Sequence, residues 1–547
     1  MSLEIIVVLL AAVLLLTWLA RTLKMTEPVV LLLGGVLLGL IPQFRGIHLP
    51  AELVLLIFLP PLLYVESLSI SLRQIVQNLR VIVILSVGLV LVTAFTVAAV
   101  AHAFGMAWPV AFVLGGVLAP TDATAVNGVS RGLPRRALTT LKAESLINDG
   151  TALVIYALAV DTAASSGEFD WGYAVGRFFG SYAGGIAIGA AVGWLVILLR
   201  RRVRDTEIER GLSVFTPFAA YLPAEAADVS GVLAVVVAGL MVSWASPLLI
   251  SARSRVPTMA FWRVTTFLLN GILFVLVGVQ LPDAVGGLKS FRAGEAVALM
   301  AAVSATVILT RILYVNASPY AIRLLDRRPQ QRRRRMTFRQ RIPGSWGGVR
   351  GAISLAAALA VPLHTHSGAR FPDRDVIVFV TAGVIAVTLV VQGQTMPWAI
   401  RLARFPVDAD EGEEEVLARR SIDQRALSDL PAHAARLDSP RELTEQLAGE
   451  LKDHSRNLRR GGFFATYRVE YHLRRALLDS KRVALVELRN AREIDDEVLR
   501  RVQETLDGEE TRLELAKRAA HISDAAYRRA HEAPATGESP HPADPEG

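Results

Sequence analysis

The stretch LKAESLINDGTALVIY, residues 141–156, carries two carboxylates, Glu144 and Asp149, immediately before an apolar run. On an α-helix Ser145 and Asp149 share one face because they are four residues apart, and Asn148 lies next to that face. Glu144 points about 140° away from Asp149. Acidic side chains are rare in such apolar surroundings, so these two carboxylates are candidates for a functional role.

The surrounding chain has the composition of a membrane protein. Of its 547 residues 52% are hydrophobic, and they are gathered into blocks that mostly approach or exceed the roughly 20 residues needed to cross a bilayer. These blocks lie near residues 3–20, 28–42, 51–68, 81–104, 108–128, 143–161, 172–199, 211–228, 230–248, 264–282, 294–315, 343–363 and 375–395. The sequence therefore predicts an all-α polytopic membrane protein with about thirteen transmembrane helices.

The basic residues between these blocks predict the orientation of the chain. One set of loops holds roughly 25 Lys and Arg residues and the alternating set about 5, and cytoplasmic loops carry the excess. An odd number of spans then places the N-terminus outside and the C-terminal tail in the cytoplasm. The first block is predicted to be a retained span, since Arg21 and Lys24 follow it and no basic start precedes it.

Composition also argues against other classes of function. The RRRR run at 332–335 and the pI of 9.9 are typical of nucleic-acid binding. A basic loop between two spans is explained by topology and by contact with anionic membrane lipid, so no nucleic-acid partner is expected. The chain has no cysteine, which excludes disulfides, thiol catalysis and thiolate metal sites.

The composition changes abruptly at DADEGEEEV, residues 408–416. Residues 1–405 are predicted to form the membrane domain, and residues 406–530 a cytoplasmic helical tail that is a candidate regulatory domain. Apolar residues recur at helical intervals over 467–491, which favours either packing within the tail or dimerisation. Residues 531–547 are predicted to be disordered.

A buried Glu144 needs a countercharge, and Arg350 in another apolar block is the predicted partner. Such a pair would hold two helices in register, and loss of either partner would leave an unpaired charge at about 3–5 kcal/mol. Asp149 has no obvious permanent countercharge. In a low-dielectric cavity its carboxylate can carry a proton or bind a small cation instead, so the two compete for one site. Ser145 and Asn148 offer a hydroxyl and an amide oxygen to that cation.

The stretch APTDATAV, residues 119–126, supplies the opposite side of the predicted site. Pro120 removes a backbone donor and loosens the helix, which frees carbonyl groups as in the interrupted helices of transporters. Asp122 and the carbonyl or hydroxyl of Thr121 would then face Asp149. In the alternative interpretation the same two residues merely cap a helix that restarts after them.

Three further charges interrupt apolar blocks. Glu66 follows a double proline near a span end, so a structural role and a role in the ion path are both open. Glu225 lies near the outer end of its span, where a solvated position is predicted. Arg311 is predicted near a span end, where its long side chain can reach the interface.

These motifs together resemble a known family. FLPPLLYVES (58–67), APTDATAV, ESLINDGTALVIY, YLPAEAADVSGVLAVVVAGL (221–240) and GGVRGAISLAAALAVP (347–362) are similar to the motifs of the bacterial sodium/proton antiporters. Those proteins belong to the monovalent cation:proton antiporter family, whose animal relatives are the sodium/hydrogen exchangers. The resemblance covers about residues 1–405 and not the tail.

The resemblance implies a homodimer in which a core domain, built from two inverted repeats with crossed broken helices, moves against a dimerisation domain. It implies that Asp149 binds both the ion and the proton, and that Glu144 and Arg350 form a structural ion pair. The residues that it assigns to cation coordination are Thr121, Asp122 and Ser145. Many relatives have proline where this chain has Ala123, so the helix break here rests on Pro120 alone.

We therefore expect a secondary antiporter that exchanges Na⁺, or alternatively K⁺ or Li⁺, for H⁺. The order Asn148-Asp149 is similar to the electroneutral branch of the family, which exchanges one cation for one proton. No cofactor is expected, because ion gradients supply the energy. An ion channel or ion-sensing receptor could use the same acids. An intramembrane hydrolase using His102, His364 and His366 is a further alternative, although no GxSxG or HExxH pattern accompanies them.

Overall fold

The chain forms two compact units, residues 1–405 and 406–547, in a computed structural model. The residues that the structure describes are 3–44, 51–122, 133–165, 171–203, 205–288, 290–325, 337–405, 409–457, 463–491 and 493–531. Within these ranges the regular elements are all helices. The α-helices of the first unit are α1 (Leu3–Leu23), α2 (Glu27–Gly39), α3 (Ala51–Leu68), α4 (Leu72–Val83), α5 (Leu89–Ala103), α6 (Trp108–Leu118), α7 (Arg135–Ala164), α8 (Trp171–Arg202), α9 (Thr206–Ala226), α10 (Gly231–Leu249), α11 (Ala252–Gly286), α12 (Ala293–Leu325), α13 (Phe338–Trp346), α14 (Ala352–Leu359), α15 (Arg374–Thr388) and α16 (Gln394–Ala403).

Most apolar blocks of the sequence coincide with these helices. Within the described ranges, seven helices are long and apolar enough to cross a membrane, and four shorter helices are apolar as well. Large apolar side chains such as Trp244 and Leu248 remain exposed on the helices, as a lipid environment favours. The predicted class, an all-α polytopic membrane protein, is confirmed.

Two of the predicted spans in the first unit, 108–128 and 343–363, are not continuous helices. α6 ends at Leu118, and the chain has no regular structure from Pro120 through Asp122. The second interruption separates α13 from α14 at residues 347–351, where the apolar block predicts one span over 343–363. That prediction is wrong because three glycines within five residues weaken a helix, and their small size lets neighbouring groups approach the backbone.

The two interruptions are in contact. The backbone N–H of Asp122 donates to the carbonyl of Val349 at 2.8 Å. Nε of Arg350 donates to the carbonyl of Leu118 at 3.0 Å. These bonds satisfy backbone groups that lack an intrahelical partner at each break. The two breaks therefore form one hydrogen-bonded unit.

Two longer helical segments contain a π-helical turn. Ile84–Gly88 joins α4 to α5, and Leu389–Gly393 joins α15 to α16. Such turns locally widen a helix and occur frequently at functional sites.

Packing on two sides positions α7. Ala143 and Leu146 belong to an apolar cluster with α3 and α10. Farther along the helix, Ala159 and Ala164 belong to a second cluster with α6 and α15. The polar residues of α7 lie next to the first cluster, on the turn that faces the break after α6. Apolar packing therefore fixes the rotation of α7 about its own axis.

The second unit consists of α17 (Ala409–Arg436), α18 (Arg441–Asn457), α19 (Phe463–Asn490) and α20 (Asp496–His531). α19 and α20 pack through a cluster of Tyr471, Leu478, Leu485, Leu506 and Leu513. Arg482 also pairs with Asp507 at 2.6 Å. The apolar spacing over 467–491 therefore serves packing within the unit. Of the segment predicted to be disordered, residues 532–547 lie outside the described residues.

Candidate functional site

One turn of α7 brings four predicted site residues together. They are each at most 6% exposed, and they are Glu144, Ser145, Asn148 and Asp149. Ser145 Oγ donates to the carbonyl of Thr121 at 2.9 Å. Nδ2 of Asn148 donates to Thr121 Oγ1 at 2.8 Å. The break after α6 is thus held against α7 by polar side chains.

A cavity of about 30 Å³ lies at this junction. The predicted site residues that line it are Pro120, Thr121, Asp122, Ser145 and Asp149. Its wall is completed by Leu62, Leu63, Glu66, Asn270, Leu273, Phe274, Gly351, Ile353 and Ser354. A cavity of this size holds one water molecule or an ion of similar size. Carboxylate, hydroxyl and carbonyl oxygens are the ligands that hard cations prefer. The arrangement can therefore bind one small cation or one proton.

Asp122 lies directly against Gly351 at the start of α14. A Cβ atom on residue 351 would overlap the Asp122 carboxylate. The backbone of Gly351 has φ of −106°, a value open to any residue, so space rather than conformation requires glycine here. Gly351 therefore sets how closely Asp122 approaches the second break.

We expect Gly351→Ala to weaken cation binding, because the added methyl group must displace the Asp122 carboxylate. Overpacking of this kind costs about 1–3 kcal/mol, or about five- to a hundredfold in apparent affinity. The measurement is the apparent KM for the cation in proteoliposomes. Gly344→Ala on α13 is the matched control, since a Cβ there meets open space. Equal KM values for the two variants would contradict the placement of Asp122 in the site.

The countercharge of Glu144 is Arg311 of α12. Nη1 of Arg311 lies 2.6 Å from Oε1 of Glu144, and both side chains are buried. Nε of Arg311 also donates to the carbonyl of Gly344 at 3.0 Å. The prediction that Arg350 pairs with Glu144 is therefore wrong. The prediction that Arg311 lies near a span end, with its side chain reaching the membrane interface, is wrong as well. The reason is that α12 continues to Leu325, which places Arg311 inside the helix and not at its end.

Arg350 instead connects the two interruptions. Its side chain is buried and donates to the carbonyls of Leu118 and Gly348. Its backbone N–H donates to Thr388 Oγ1 at 3.3 Å. A guanidinium at the C-terminal end of α6 also complements the negative end of the helix dipole. Arg350 therefore stabilises the geometry of the breaks.

Sequence reasoning missed Asn270 and Ser354 as lining residues. Asn270 interrupts the apolar run FLLNGILF at 267–274, a signal of the same kind as the acids, whereas Ser354 gives no such signal. Glu66 lines the cavity, and its Oε1 is buried without a hydrogen-bond partner among the described residues. This placement favours the ion path over a purely structural role for Glu66. Glu225 is exposed, as predicted.

Interrupted helices that meet beside buried carboxylates, within an apolar helical unit, define a polytopic membrane protein with an ion-sized site in its interior. The chain belongs to the sodium/hydrogen exchanger family, because the family model described as "Sodium/hydrogen exchanger, transmembrane" matches residues 8–402.

Curated relatives and a solved structure agree with this membership. The chain is similar to an uncharacterized Na⁺/H⁺ exchanger of Mycobacterium tuberculosis strain H37Rv, with 46% identity over 94% of this chain and 96% of that protein. It is 28% identical to the sodium, potassium, lithium and rubidium/H⁺ antiporter of Bacillus subtilis, over 87% of this chain and 73% of that one. The sodium proton antiporter MjNhaP1 of Methanocaldococcus jannaschii, solved at pH 8, shares the fold, with a TM-score of 0.58 and 18% identity over 72% of this chain and 96% of that chain.

Proposed function

We propose that the protein is a secondary antiporter that exchanges one Na⁺ for one H⁺ across the plasma membrane. The observation that carries the proposal is the cavity in which Asp122 and Asp149 lie together at the junction of two interrupted helices. Family membership supports it. K⁺ and Li⁺ are alternative substrates, because the Bacillus subtilis relative is named for four monovalent cations.

The roles of the residues follow from their positions. Asp149 takes either the proton or the cation, while Asp122, Ser145 Oγ and the Thr121 carbonyl supply further oxygens. Three carboxylates, those of Glu66, Asp122 and Asp149, line one small cavity and repel each other, so the cavity favours occupancy by a proton or a cation. Asn148 holds Thr121 in place through its amide. Because binding of one ion releases the other, the two opposed fluxes are coupled, and no cofactor takes part.

The proposal includes the architecture that the family resemblance implies. A core domain of two inverted repeats moves against a dimerisation domain in a homodimer, so that the cavity opens to each side of the lipid bilayer in turn. The N-terminus lies outside, and residues 406–530 form a cytoplasmic, regulatory tail. The contact between the two breaks supports this motion, because side-chain contacts and the bonds between the breaks satisfy the interrupted backbone without a continuous helix.

The proposed function is tested by transport into liposomes that contain the purified protein and an interior pH dye. A proton gradient is imposed, and Na⁺, K⁺ and Li⁺ are added in turn, with and without a membrane potential set by valinomycin. We expect a pH change with at least one cation, and the same change at either potential if the exchange is electroneutral. No response to any of the three cations would contradict the proposal.

The same measurement separates the other classes of function. A channel moves each ion independently, so a proton gradient would not drive the cation against its own gradient. A hydrolase would move no ion at all. The histidines that a hydrolase could use are exposed and absent from the cavity wall, and they are His102, His364 and His366.

A further inference from the structure

The π-helical turn Leu389–Gly393 lies beside the second break. α15, before the turn, packs on α14, and α16, after the turn, packs on α13. Thr388 Oγ1 accepts the backbone N–H of Arg350 at 3.3 Å, and Thr395 Oγ1 accepts Nε1 of Trp346 at 2.7 Å. The turn is therefore bracketed by one contact to each end of the break.

Gln392 is the polar residue of this turn. It lies four residues after Thr388 and three before Thr395, within the turn whose two flanking threonines contact the break. Its side chain is 0% exposed, and neither Oε1 nor Nε2 has a hydrogen-bond partner in the part of the chain that the structure describes. An unpaired buried amide is unfavourable, and its presence calls for a physical reason.

The hydrogen bonds at the break suggest what that reason is. In this structure the carbonyl of Val349 is held by Asp122, and the N–H of Arg350 is held by Thr388. Movement of α6 against α14 would release the Val349 carbonyl in a setting without water, where a free backbone group is costly. The Gln392 amide carries two N–H donors and one carbonyl acceptor, so it can donate to a carbonyl that is released in this way.

We propose that Gln392 is a positioning residue for transport, whose amide pairs with backbone groups of the second break in another state of the transport cycle. The unpaired amide of this structure raises the free energy of the present state, and pairing lowers that of the other. The residue acts through the break and touches no transported ion. This inference rests on the proposed antiport.

The test compares Gln392→Met, which keeps the length of the side chain and removes its hydrogen bonds, with the unaltered protein in proteoliposomes. We expect the maximal exchange rate to fall roughly three- to thirtyfold, since a coupling element of this kind contributes modest free energy. We expect the cation KM to stay within about twofold and the pH profile to keep its shape, because the cavity is unchanged. Thermal stability in detergent should be equal or higher, since an unpaired polar group is removed.

Thr381→Val is the matched control. Thr381 lies on α15 and is equally buried, with Oγ1 also unpartnered among the described residues, but it precedes the π turn by two helical turns. The control should exchange at the normal rate. Gln392→Leu serves as the second variant if the methionine variant does not fold.

An unchanged exchange rate in the folded Gln392 variants would overturn the inference. An equal loss of rate in Thr381→Val would also overturn it, since the effect would then be one of general packing. Neither result would contradict cation/proton antiport by the unaltered protein. A protein that exchanges no cation at all contradicts the proposed function itself.

Discussion

The Asp149→Asn protein should fold normally and lose at least about 99% of its exchange activity, because a cation held without its countercharge in a low-dielectric cavity loses about 3–5 kcal/mol. Asn keeps the shape of Asp but can neither release a proton nor neutralise a cation. Release of the proton and binding of the cation therefore fail together. The measurement is the initial rate of the pH change in liposomes, with the amount of inserted protein determined for each variant.

Asp161→Asn is the control for this prediction. Asp161 is on the same helix as Asp149 but is exposed, and its replacement removes the same charge from the chain. It should transport at the normal rate. If Asp149→Asn retained exchange comparable to the control, the proton and the cation would have to be carried by another group, and Glu66 on the cavity wall would be the first to examine.

The parts of the fold that depend on local sequence could be predicted. The apolar blocks coincide with helices because a helix that crosses a bilayer must satisfy its own backbone and present apolar side chains along its whole length. The break after α6 was predictable from Pro120, which cannot continue the hydrogen-bond ladder. The second break has a comparable signal in its three glycines, Gly347, Gly348 and Gly351. Ala123, which stands where many relatives have proline after the first break, lies outside the described residues.

The neighbours of each helix could not be predicted in the same way. Periodicity shows which face of α7 is polar but not which helix meets that face. Arg311 and Arg350 both lie in apolar blocks, and the sequence cannot decide between them as partner of Glu144. The structure decides through packing, since α12 reaches Glu144 with the middle of its length. Asn270 was missed for the same reason, because its helix meets the cavity only after folding.

The second large effect is expected at the Glu144–Arg311 pair. Arg311→Met leaves the Glu144 carboxylate buried and unpaired, which should lower the free energy of unfolding by about 3–5 kcal/mol. Glu144→Gln should have a cost of the same kind, because it leaves the guanidinium without its carboxylate. The two changes combined should cost much less than their sum, since neither charge is then left alone. Denaturant unfolding of the purified protein in mixed micelles measures all three variants.

The double-mutant cycle also identifies the partner of Glu144. Its coupling energy should exceed that of the exposed pair Arg177–Asp228, whose charges lie 3.9 Å apart and contribute about 0–1 kcal/mol. A cycle of Glu144 with Arg350 should give a smaller coupling than the cycle with Arg311, because Arg350 binds backbone carbonyls. The reverse order would restore Arg350 as the countercharge.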